Sequence, residues 1–246
     1  MEAACAFLQQ RCSAATLGAA AMTPRELILA TVRRSLGVTG LERPRQLEVA
    51  TRLAGHPTGT VPARGRLPAA ARLGLFGRMV ELAAGTVARA AEPAAVPTAV
   101  AAFLRGHNLP LVIRHGDDPL LSTMPWARAG TLQIRRGASD GSDLAAVSHA
   151  FAAVAETGTL VLVSGADNPT TLNFLPDVHI VVVNASDVAS DFETVMARLR
   201  GRFGAGAMPR TVNMITGPSR SADIEQTLIL GAHGPRNLHV VVVGDP

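Results

Sequence analysis

Two stretches, His179-Ile180-Val181-Val182-Val183 and Leu238-His239-Val240-Val241-Val242-Val243, decide the fold class of this chain. Neither alternates apolar with polar residues, so each reads as a strand covered on both faces, the mark of a parallel sheet sheathed by helices. Four more short apolar runs lie at residues 111–114, 131–134, 159–163 and 211–215. Helical spacing separates them at 143–155, 187–200 and 223–230. Alternation of this kind predicts an α/β protein, a three-layer α/β/α sandwich around a largely parallel sheet of about six strands.

Upstream the signals are helical. Thr23, Pro24 and Glu26 form a capping box at the head of an apolar stripe, Leu27, Ile28, Val32 and Leu36, and Gly37 ends it. Residues 37–68 are rich in Arg, Pro, Gly and Thr and read as an extended arm. Helices follow at 73–90 and 96–105. The expected division is an Ala-rich extension over 1–21, disordered or an artefact of start-site assignment, a helix and arm over 22–68, and the α/β domain over 69–246.

Composition narrows the chemistry. The 246 residues are 48% hydrophobic and 17% charged, with mean hydropathy +0.24, enough to bury a full core. All 23 basic residues are Arg, which excludes a Schiff-base lysine, a Walker-type phosphate lysine and pyridoxal phosphate anchored in the usual way. The two cysteines, Cys5 and Cys12, are too few for a four-cysteine iron–sulfur or zinc set. No His pair has metal-ligand spacing, and His149, His179 and His239 read as structural. Residues 1–136 carry net charge +9 and residues 137–246 carry −5. The arginines are scattered without stacking aromatics, so no nucleic-acid partner is expected. Without a signal sequence or a run of about 20 apolar residues, no membrane partner is expected either, and a cytoplasmic location follows by default.

No Gly-x-Gly-x-x-Gly follows a strand and no Gly-x-Ser-x-Gly elbow is present. Three clusters remain. Glu156-Thr157-Gly158-Thr159 puts a carboxylate beside an apolar run, where desolvation makes a base or nucleophile, or else is a helix stop with a solvated Glu. Gly217-Pro218-Ser219-Arg220-Ser221-Ala222-Asp223 offers backbone N–H groups, hydroxyls and a cation to a phosphate or carboxylate, or else is a capped turn. His233, before Gly234-Pro235, suits proton transfer or is a plain loop residue. In an all-parallel sheet the serine cluster follows a strand while Glu156 and His233 precede strands, which puts them at opposite edges.

Taken in order, Glu156-Thr157-Gly158-Thr159-Leu160, Leu175-Pro176-Asp177-Val178-His179, Gly217 to Glu225 and Gly231-Ala232-His233-Gly234-Pro235 resemble the LUD-domain family of lactate utilization protein C, over roughly residues 23–245. Ser221 stands where that family usually has Thr. The resemblance implies a fold like that of the ribose-5-phosphate isomerase, glucosamine-6-phosphate deaminase and coenzyme A transferase superfamily. It also implies a part in oxidising L-lactate to pyruvate within a three-protein system whose other members resemble iron–sulfur oxidoreductases. On this reading the chain binds a small anionic ligand and has no redox centre of its own, and its cofactor is unknown. Glu156 and His233 are the candidate catalytic residues. Thr157, Gly158, Thr159, Gly217, Pro218, Ser219, Arg220, Ser221, Asp223 and Gly234 are the candidate ligand-binding residues, with no metal. Glu156-Thr157-Gly158 is similar to the Glu-Asn-Gly context of the coenzyme A transferase nucleophile, so the alternatives are a sugar-phosphate isomerase-like or coenzyme A transferase-like enzyme using Glu156, and a non-catalytic assembly or regulatory subunit.

Overall fold

A computed structural model of the chain describes residues 22–204, 206–221 and 229–245. It divides into two compact units, one ending at Thr58 and one beginning at Gly59. In the first, α1 (Pro24–Leu36) carries the expected capping box, with the Thr23 side chain accepting from the Glu26 N–H and Gly37 in the left-handed region at φ 63°. Within the segment read as an arm, α2 spans Arg43–Gly55. Its start is fixed by Glu42, whose carboxylate accepts the N–H groups of Thr39 at 2.6 Å and Gly40 at 3.0 Å. Pro44 in the first turn, which reads as a breaker when only composition is weighed, is at home there.

The second unit is built on six parallel strands, β1 (Thr86–Ala90), β2 (Val112–His115), β3 (Gln133–Arg136), β4 (Ala145–His149), β7 (Val178–Asn184) and β12 (Asn237–Val243), in the order β1-β12-β7-β4-β2-β3. Strand side chains alternate between faces. Ile180, Val182, Val241 and Val243 therefore pack on one side with α4 (Val96–Gly106) and α5 (Pro119–Thr123). Val181, Val183, Val240 and Val242 pack on the other with Leu73, Phe76 and Val80 of α3 (Ala69–Leu82). This is the expected three-layer α/β sandwich. The layer beside α3 is itself a four-stranded sheet in the order β8-β5-β6-β9, formed by β5 (Ala152–Val154), β6 (Thr159–Val163), β8 (Val188–Ala189) and β9 (Val212–Ile215). Outside it lies α7 (Phe192–Phe203), and the short α6 (Thr171–Phe174) precedes β7.

Several expected elements change identity. The helix read over 73–90 stops at Leu82, and 86–90 is the edge strand β1. Ala84 turns to φ 64°, and a Cβ on Gly85 would lie 2.7 Å from Val80 Cγ1, so the chain reverses tightly there. The helix read over 143–155 is two strands, β4 and β5. Its alanines, good helix formers in isolation, are the small residues that fit strands buried on both faces. Residues 159–163 and 211–215 are strands, but of the second sheet, where β6 pairs antiparallel with both β5 and β9. The helix read from 187 starts at Phe192, because the Asp191 side chain caps it by accepting from the Thr194 N–H. Of the helix read over 223–230, residues 222–228 lie outside the described residues, and Ile229–Leu230 (β11) pairs antiparallel with Arg220–Ser221 (β10).

Three histidines, His115, His179 and His239, are buried in the sheet. His239 stacks on Phe103 with centroids 4.1 Å apart and shares a hydrogen bond with Thr86 through Nδ1 at 2.8 Å. Burial, with a smaller contribution from the nearby His107, pushes its imidazole down to about 4. Burial pushes His179 down to about 3. Both are neutral in the folded protein, whereas the unfolded chain takes up their protons below about 6.5.

Stability is therefore fully present above about pH 6.5 and is lost progressively as pH falls toward 4. The replacement His239→Gln should flatten this slope, removing a pH-dependent contribution on the order of 3 kcal/mol in urea titrations at stepped pH. A second prediction concerns glycines. A Cβ on Gly116 would sit 2.1 Å from the Asp167 carbonyl oxygen, whereas one on Gly77 within α3 meets nothing within 4 Å. Gly116→Ala should cost about 1–3 kcal/mol and Gly77→Ala should gain about 0.5–1 kcal/mol, opposite signs in the same denaturation assay.

Candidate functional site

The segment after β9 turns at Gly217, where φ is 74° and an added Cβ would lie 2.2 Å from the Ala83 carbonyl oxygen at the end of α3. Ser219 is then fixed by the 231–235 segment. Its N–H donates to Pro235 O at 2.9 Å, its carbonyl accepts from the Gly231 N–H at 2.9 Å, and its Oγ accepts from the His233 N–H at 3.4 Å. Gly234 packs close, since a Cβ there would stand 3.3 Å from Ser219 Cβ.

These residues border a cavity of about 210 Å³. Gly217, Pro218, Ser219, His233, Gly234 and Pro235 form one wall, and Asn173, Phe174, His179, Met214, Ile215 and Leu238 form the other. Among the described residues no acidic side chain lines it. Asn173 and His179 are 1% and 0% exposed and are joined through Ser148 of β4. The Ser148 hydroxyl donates to Asn173 Oδ1 at 3.0 Å, so its oxygen accepts from His179 Nε2–H, also at 3.0 Å. That fixes the tautomer and leaves Nδ1 as a bare acceptor. His179 Nδ1 and Asn173 Nδ2 are both buried without a partner among the described residues, a costly state for polar atoms.

Other sequence-derived candidates lie elsewhere. Gly158, at φ 69°, has a tight turn against α3, where a Cβ would lie 2.6 Å from Met79 C and Val80 N. The hydroxyls of Thr157, Thr159 and Thr216 form a chain with spacings of 2.7 Å, tying this turn to the one at Gly217. The separation of edges expected for a parallel sheet is overcome because β6 and β9 run antiparallel, with Leu160 opposite Ile215. Glu156 is 4% exposed, its Oε2 has no hydrogen-bond partner, and it borders neither this cavity nor the larger one beside His149. Arg220, read as a ligand cation, instead donates to the Ala83 carbonyl. Ser221 pairs with Ile229 in the β10–β11 ladder. Asp223 lies outside the described residues.

Asn173 and His179 were not legible as site residues, because their roles come from cross-strand neighbours. The available signal was a His in β7 and a Ser in β4, each interrupting a Val/Ala strand. Among the described residues no group of three or more His, Cys, Asp and Glu is placed to hold a metal ion, and no helix is long and apolar enough to cross a membrane.

Known proteins match the same region. The LUD domain family matches residues 132–243, a narrower span than the motif order suggests. Lactate utilization protein C of Geobacillus thermodenitrificans (strain NG80-2) is 39% identical over 109 residues, covering 43% of this chain and 45% of that protein. Lactate utilization protein C of Bacillus licheniformis is 33% identical over 133 residues, covering 52% and 53%. The chain thus spans about half the length of the curated relatives it matches. The crystal structure of a DUF162 family protein from Deinococcus radiodurans superposes with a TM-score of 0.53 at 26% identity, over 72% of this chain and 99% of that one. Over residues 132–243 this chain is thus similar to the LUD domain family, and over part of its length to the lactate utilization proteins.

Proposed function

We propose that this chain acts in lactate utilization by holding a small 2-hydroxycarboxylate, L-lactate or its close kin, in the cavity beside Ser219. The observation that carries this reading is the pair of buried, unpartnered atoms there. His179 Nδ1 accepts and Asn173 Nδ2 donates. A hydroxyl group meets the first need and a carboxylate oxygen the second, on one small molecule. The Ser219 hydroxyl and the His233 side of the wall add polar contacts, and the described residues of the lining include no carboxylate to repel an anion. His179 stays neutral because burial holds it near 3, so it accepts a hydroxyl hydrogen instead of repelling or protonating the guest.

On this reading the two electrons released when lactate becomes pyruvate pass to the iron–sulfur subunits that the family resemblance implies, and this chain positions the acid. The alternative of a stand-alone isomerase-like or transferase-like enzyme centred on Glu156 draws less support, because Glu156 borders neither cavity.

Calorimetric titration tests the reading. Saturable binding of L-lactate is expected, weakened about tenfold for propionate, which lacks the hydroxyl, and about tenfold or more by Asn173→Ala, the effect of one hydrogen bond to a charged group. Equal affinity for lactate and propionate, or undiminished binding in the Asn173→Ala protein at unchanged melting temperature, would refute it.

A further inference from the structure

Across the central sheet, the strand order reverses between β2 and β4. The chain leaves β2 for β3 on one side and leaves β4 for the second sheet and β7 on the other. Outside the carboxyl ends of such a pair, open α/β sheets leave a crevice where ligands bind. Here a cavity of about 440 Å³ opens there, between Asp118 and Leu120 after β2 and His149 and Phe151 at the end of β4. It is separate from the Ser219 cavity and shares no lining residue with it.

Asp118, His149 and Asp187 of this lining are joined through Asn184 in one hydrogen-bond chain. Asp118 Oδ1 accepts the Leu121 N–H at 3.0 Å, capping α5, and its Oδ2 lies 3.1 Å from His149 Nδ1. Behind the ring, Asn184 Nδ2 donates to Asp187 Oδ2 at 2.9 Å, which fixes the amide orientation, and faces His149 Nε2 at 3.4 Å. A carboxylate at Nδ1 and an amide donor at Nε2 select one tautomer, with the proton on Nδ1 and a lone pair on Nε2. The Asn184 contact is long, so that lone pair has capacity for a stronger donor. Burial tends to raise the Asp118 carboxyl, but hydrogen bonds from His149 and from the Leu121 N–H outweigh it and hold the group below its ordinary value. Asp118 is thus a fixed negative charge behind the ring.

Charge limits the occupant. Asp118, Asp167 and Asp187 line the cavity against a single cation, Arg202, whose guanidinium sits 5.8 Å from the Phe151 ring centroid. An anion meets net repulsion here.

We propose that this cavity is a second ligand site, for an uncharged polyhydroxylated molecule, in which His149 Nε2 is the proton acceptor and Asp118 the residue that positions it. In the step this permits, a ligand O–H bond breaks, the Nε2–H bond forms, the electron pair stays on the ligand oxygen, and Asp118 faces the resulting imidazolium. The proton returns to the ligand from the same nitrogen.

Nitrogen-15 NMR of the full chain, labelled in its histidine rings, tests this directly. His149 should show a protonated Nδ1 and a bare Nε2, and glycerol, xylitol or glucose should shift Nε2 saturably while sodium L-lactate at equal concentration does not. Asp118→Asn should mix the two tautomers and weaken polyol binding about tenfold. Because Asp118 also caps α5, His149→Gln serves as the second variant. It keeps the cap and the melting temperature and should abolish saturable polyol binding measured by calorimetry. A proton on Nε2 in the free protein, no saturable response to any of the three polyols, an equal response to lactate, or full binding in His149→Gln each overturns the proposal.

Discussion

Antiparallel pairing of β6 with β9, with Leu160 opposite Ile215 and Val161 opposite Met214, is the constraint on which the arrangement around Ser219 rests. In a wholly parallel molecule the start of one strand and the end of another lie a strand's length apart. Reversal brings the Gly158 turn and the Gly217 turn side by side, and the Thr157–Thr159–Thr216 hydroxyls join them. Both turns press on the last part of α3, at Met79–Val80 and Ala83, so close that only glycine fits at either. A helix end, two turns and a ladder thus specify one geometry, and the Ser219 wall inherits it.

Polar groups inside the central sheet give the protein two unlike cavities. Near Ser219 the buried chain His179–Ser148–Asn173 ends in a bare acceptor and an unused donor. At the carboxyl edge the chain running from Asp118 through His149 and Asn184 to Asp187 is acidic. Ser148 and His149 are consecutive residues of β4, so the two networks are one peptide unit apart and point to opposite faces. Low dielectric strengthens each network and raises the cost of leaving it unsatisfied.

The sequence made the class of fold legible because residues 179–183 and 238–243 carry valines on both faces, a pattern with few other uses. It misassigned 143–155 because alanine's helix preference is intrinsic, whereas its place in β4 and β5 is set by neighbours that the local pattern does not contain. The capping box at Thr23 was readable since all its partners lie within four residues. Gly217, Pro218, Ser219, His233 and Gly234 were readable as candidates through their turn chemistry and come to border one cavity. Asn173, His179, Asp118 and His149 were not, for their hydrogen bonds join segments up to 31 residues apart. Arg220 illustrates the converse, a cation well placed in sequence whose guanidinium folds back onto a main-chain carbonyl.

The position of β12 between β1 and β7 has a temporal side. Among the described residues, 86–90 find their ladder partner in residues 237–243, which leave the ribosome on the order of ten seconds later at ordinary elongation rates. Throughout that wait the nascent polypeptide exposes one orphan strand and, once 178–184 has emerged, one bare valine-rich border, both invitations to adhesion with neighbours. The strand order thereby leaves the closing of this valine-rich border to the last stretch of the chain to be made.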